Sequence, residues 1–132
     1  MSLVSVLTTL ATRIATEFNT VRSELEASRG LYVDINVQIG TTYAPVLTDR
    51  GKFVTLDNSG AITVTLPSNA TTAFPIKTQI DFAVLGTGMA TFVPDSGTGV
   101  YGTPSLITRA QYSAATAIKI STNGWLVVGD LA

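Results

Sequence analysis

The groups able to do chemistry are few: six aspartates (Asp34, Asp49, Asp57, Asp81, Asp95 and Asp130), three glutamates near the N-terminus, hydroxyls, aromatics, and neither histidine nor cysteine. Thiol nucleophiles, a histidine base, structural zinc and iron–sulfur ligation need those two missing residue types and fall away together. Two carboxylates can cleave a glycosidic bond only by converging across a cleft, and nothing in the spacing pairs any two of them. Asp49, Asp57 and Asp95 stand in turn-rich stretches, where an aspartate side chain caps turn amides for structural reasons. Residues 94–104, PDSGTGVYGTP, form a surface loop in which Tyr101 is placed to stack on a sugar ring. Asp95 and Tyr101 therefore mark a candidate surface-recognition loop, whereas Tyr112 and Trp125 are expected in core or subunit packing. No catalytic residue, metal ligand or cofactor site is read, and the chain is expected not to be an enzyme.

The elements that hold these residues are legible from composition and period. The 132 residues are 45% hydrophobic and only 13% charged, with a net charge of -1, enough for one small domain and an appendage. That balance lacks the basic footprint of a nucleic-acid binder. No run approaches a membrane span, and the N-terminus lacks the basic region of an export signal. Serine and threonine supply most of the polarity, which leaves a surface with little charge repulsion between neighbours.

Residues 1–30 read as one amphipathic helix for oligomerisation or docking, with Gly30 as its stop. Its apolar residues are Leu3, Leu7, Leu10, Ile14, Phe18, Val21 and Leu25, which keep to one helical face. Leu3, Ile14 and Leu25 are eleven apart, as are Leu7 and Phe18, and Leu10 and Val21. An eleven-residue period suits a straight or slightly right-handed bundle better than a leucine zipper. An isolated helix of this length is marginal in water, so the stripe needs a partner, and self-association is favoured over packing on the chain's own β-half.

Residues 31–48 read as a strand and connector, with Val33, Ile35, Val37 and Ile39 alternating against Asp34, Asn36 and Gln38. Residues 49–132 read as an antiparallel β-domain of three hairpins. Asp57-Asn58-Ser59-Gly60 turns the first, Gly86-Thr87-Gly88 the second and Asn123-Gly124 the third. Further short strands are expected at Val100 and over Leu106–Tyr112. The fold class expected is mainly β, an N-terminal α-helix followed by a small antiparallel β-sandwich or barrel.

The stretch GKFVTLDNSGAITVTLPSNATTAFPIKTQIDFAVLGTGMATFVPDSG, followed by RAQYSAATAIKISTNGWLVVGDL, resembles a β-domain that recurs in structural proteins of tailed bacteriophages. It is similar to the C-terminal module of minor tail proteins, of head or tail fibres and of small capsid-associated proteins, over roughly residues 49–132. IATEFNTVRSELEA resembles the helical segments that precede such modules, and Lys77 stands where the resemblance would place glycine. The resemblance implies a virion part assembled in the bacterial cytoplasm, homotrimeric, with capsid or tail proteins as partners. The chain's shortness favours a capsid decoration protein or short head fibre, the alternative being a tail fibre or minor tail protein that binds host surface glycans.

Overall fold

The computed structural model describes residues 2–28 and 32–132, which fall into two compact units, Met1–Val33 and Asp34–Ala132. In the first, α1 spans Leu3–Ser28. Ser2 caps it, its Oγ accepting the Ser5 amide at 3.1 Å. Six β-branched or short polar side chains inside the helix would otherwise compete for the backbone. They are reconciled with it by donating to the carbonyl four residues back, as in Thr8 to Val4 (2.8 Å), Thr12 to Thr8 (2.9 Å) and Thr16 to Thr12 (3.0 Å). The stop expected at Gly30 lies outside the described residues.

The second unit is mainly β, as expected, but its strands are wound as stacked coils. The strands are β1 (Asp34–Gln38), β2 (Thr42–Tyr43), β3 (Lys52–Leu56), β4 (Ile62–Leu66), β5 (Gln79–Val84), β6 (Ala90–Pro94), β7 (Gly99–Tyr101), β8 (Ala114–Ser121) and β9 (Gly124–Gly129). A six-stranded sheet has the order β1-β3-β5-β8-β9-β7 and a three-stranded sheet the order β2-β4-β6. Each of the first three coils contributes one strand to each sheet, and β1, β3 and β5 are mutually parallel, as are β2, β4 and β6. From Phe53↔Asp81 to Leu66↔Pro94 the register offset is a constant 28 residues.

This corrects the antiparallel sandwich or barrel to a solenoid-like stack, and the first two expected hairpins to corners. Asp57–Ala61 and Leu85–Met89 carry the chain from one sheet to the other without reversing it onto its neighbour. Glycine is required there for space: a Cβ on Gly88 would lie 1.8 Å from the Gly60 carbonyl oxygen, and one on Gly86 would lie 2.2 Å from that of Asn58. Hydrogen bonds run between coils at these corners, Gly88 N to Asn58 O (2.9 Å) and Asn58 Nδ2 to Ile39 O (2.7 Å). Gly88→Ala should therefore cost at least about 1–3 kcal/mol by forcing the coils apart. Gly40→Ala, whose added methyl would meet nothing closer than 3.7 Å, should be nearly neutral, the two variants being compared by urea unfolding followed by circular dichroism.

The third hairpin forms: β8 and β9 are antiparallel, with Ser121 opposite Gly124. β7 is the edge strand expected at Val100, parallel to β9. Leu106–Tyr112 makes no strand, only the isolated bridges Thr91↔Ile107 and Thr108↔Leu131. Lys77, at the position where glycine was expected, has a φ of 78°, a left-handed conformation that glycine adopts more readily.

Side chains from both sheets meet in one core that includes Val54, Leu56, Ile80, Val84 and Val127. Phe82 packs edge-on against Phe92 with ring centroids 5.4 Å apart, joining the sheets. At the first coil the interior is closed by polar groups. Buried Asp49 accepts from Asn36 Nδ2 (2.7 Å), the Tyr43 hydroxyl and the Val46 amide (2.8 Å). Burial and the Asp49 carboxylate together push the Tyr43 hydroxyl well above its ordinary pKa, so it stays a donor. Towards β8 and β9, Trp125 is fully buried beside Lys119, as its packing role required. Lys119 is buried too, its ammonium donating to Asn69 Oδ1 at 3.0 Å, and burial lowers its pKa.

Candidate functional site

The candidate assembly surface is the apolar face of α1. Leu3, Leu7, Leu10, Ile14, Phe18, Val21 and Leu25 are 51–73% exposed, along a helix of 26 residues, about 39 Å long. Thr8, Thr12, Thr16 and Thr20 form a second row at four-residue spacing, their hydroxyls already bonded to the helix backbone. Such a row offers methyl groups to a neighbour without orphaning a hydroxyl. Charge is confined to other positions, among them the pair Arg13 Nε–Glu17 Oε1 at 3.0 Å.

A second exposed apolar surface was missed from the sequence. The outward side of the six-stranded sheet carries the exposed Ile35, Val37 and Val128 and the half-buried Phe53, Ile118 and Leu126, opposite in parity to the core residues of the same strands. Asp81 lies on that side too, its carboxylate accepting from Thr116 Oγ1. On β1 the apolar side faces outward and the polar residues Asn36 and Gln38 face inward. β1 itself pairs in parallel with β3 of its own chain and is an edge strand of the sheet.

Asp95 is a staple rather than a vacant ligand. Its carboxylate accepts from Ser68 N (3.2 Å), Ser68 Oγ (3.0 Å), Thr71 Oγ1 (2.5 Å) and Ser96 N (2.8 Å). The Thr71 hydroxyl first, and then these other donors, hold its pKa at about 2 against an ordinary 3.8. A depressed folded value means that the stabilisation is complete above pH 3.8 and is lost as pH falls towards 2. Asp95→Asn should therefore lower the melting temperature at neutral pH and flatten the acid limb between those values, as followed by circular dichroism.

Tyr101 is 57% exposed, with its ring folded back over Gly99 of its own strand. The two members of the candidate recognition loop thus have different surroundings: Asp95 is bound to residues 68–71, and Tyr101 lies on β7 beside β9. Family models and curated proteins return no match.

Of the core or subunit packing expected of Tyr112, its exposure excludes the core. It is 75% exposed, in a left-handed conformation with φ 68°. Two further carboxylates are engaged by hydrogen bonds. Asp130 accepts from Arg109 Nε (2.7 Å) and Ser113 Oγ (2.7 Å), the arginine foremost in lowering its pKa, and Asp34 Oδ1 accepts the Ile35 amide at 2.8 Å.

Proposed function

We propose that this chain is a non-enzymatic structural protein of a bacteriophage virion, a homotrimeric capsid decoration protein or short head fibre. Helix α1 joins the copies, and the β-units are displayed on the particle. The observation that carries the reading is the exposed stripe from Leu3 to Leu25 with its eleven-residue repeat, a surface that partner helices of the same period would cover along its length. The resemblance of residues 49–132 to phage structural modules supplies the setting. Three copies around one axis multiply weak β-unit contacts into a firm attachment.

Mass spectrometry of gradient-purified virions tests the setting. The chain should be recovered with the particles at a fixed ratio to the major capsid protein, and recovery only from the unassembled fraction would refute it.

A further inference from the structure

The outer side of β1 is not accounted for by the packing of its own chain. Ile35 and Val37, followed by Ile39, are β-branched, alternate with polar residues and are 56–72% exposed. A shift of one residue in the pairing with β3 would send Ile35 and Val37 inward. The register adopted instead turns Asn36 and Gln38 inward, where Gln38 Nε2 donates to Asn36 Oδ1 at 2.8 Å. The same outer side continues across the sheet. Ile35 stands beside Phe53, and on the far strands Tyr101 stands beside Leu126 and Leu126 beside Ile118. Asp81 lies between these groups with its carboxylate already bonded to Thr116 Oγ1. Such a side suits an apolar protein surface and not a polyanion.

Covalent continuity with α1 decides what covers it. β1 starts six residues after the end of α1, a reach of at most about 20 Å whatever path residues 29–33 take. A β-unit of this size is roughly 30 Å across, wider than its tether is long. Copies joined through α1 therefore hold their β-units side by side, each with its β1 strand close to the end of the bundle. We propose that the outward side of the six-stranded sheet, led by Ile35 and Val37, packs against the β-unit of a second copy of this chain. The contact rests on the joining of copies through α1 and adds to it. Its few apolar side chains fall short of the roughly 20–30 residues a side of an interface that holds alone. It closes at the high effective concentration that the helices impose, and a β-unit without α1 stays monomeric.

The chain has no cysteine, so single sites can be spin-labelled in the full chain. Val37→Cys marks the proposed contact, and Thr65→Cys marks the outward side of β4 in the opposite sheet. Pulsed electron resonance between copies should give a narrow distribution of short distances at Val37 and a broad, longer one at Thr65. Independently, Ile35→Lys with Val37→Lys should keep the assembled mass, because α1 is untouched. The same pair should lower the melting temperature of the β-unit by a few degrees more in the assembled chain than in a full chain made monomeric by Ile14→Glu and Phe18→Glu. A wild-type chain that is monomeric by mass would remove the joining through α1 and this contact with it. An assembled chain whose Val37 labels are as widely spread as those at Thr65, or an equal lysine effect in both backgrounds, would overturn the sheet contact alone and leave that side for another partner.

Discussion

Replacing Ile14 and Phe18 together by glutamate is expected to convert the assembled protein to monomers. Both side chains lie in the middle of the exposed stripe, so in a bundle each copy would bring two carboxylates to the shared core. An unpaired charge in such a place costs several kcal/mol, more than the burial of the remaining leucines restores. Glutamate forms helix at least as well as isoleucine or phenylalanine, so the loss reports the interface and not the propensity. A helix left alone frays, because its six back-bonded Thr and Ser residues are modest helix formers. Sedimentation should therefore show the monomer, and circular dichroism a smaller helical signal with the β-unit's melting transition kept.

Trp125→Ala should produce the largest loss of stability of any single substitution considered, about 3–5 kcal/mol. The indole is fully buried and meets Phe74 edge-on with ring centroids 5.5 Å apart. Its Nε1 donates to Pro67 O at 2.9 Å, anchoring the start of the 67–78 loop to β9. The Lys119 ammonium lies 5.9 Å from the ring centroid, so the substitution also strips a buried cation of its aromatic neighbour. Removing the ring creates a cavity, orphans a carbonyl and exposes the cost of the buried ammonium together, which places the effect towards the upper end. Trp125→Phe keeps the ring and loses only the donor, so it should cost markedly less. Urea unfolding followed by circular dichroism measures both, since the chain has no second tryptophan for fluorescence.

Much of the β-half is legible because the alternation that defines a strand is local. Ile62, Val64 and Leu66, and Ile80, Phe82 and Val84, are buried as their spacing predicts, and Asn123-Gly124 turns the one hairpin that forms. Strand pairing is not local. Asp57-Asn58-Ser59-Gly60 serves a corner as readily as a reversal, and alternation is the same whether a strand's neighbour lies beside it in sequence or 28 residues away. The missed signal is that spacing: VTLDNSGAITVTLP and AVLGTGMATFVPD share turn and strand positions at a fixed period, the mark of a stacked repeat.

On the candidate surfaces the legibility divides in the same way. The helix stripe follows from period alone. The inverted face of β1 does not, because alternation gives two faces without saying which is buried. Asn36 and Gln38 turn inward since β1 is the last rung, where side chains close the end of the core instead of filling it. Tyr112 is of a residue type intermediate between buried and exposed, so its place outside the core is not legible in the sequence. Its exposure depends on a backbone conformation fixed by Val84 and Asp130, residues far from it in the chain.

Light scattering on the full chain, beside the chain shortened to Asp34–Ala132, asks most directly whether α1 is the element of assembly. The shortened chain contains the whole core and should be a folded monomer. The full chain should weigh three times its 13.8 kDa. A full chain that stays monomeric at high concentration, with its β-unit folded, would contradict the trimer and leave the stripe for a different partner.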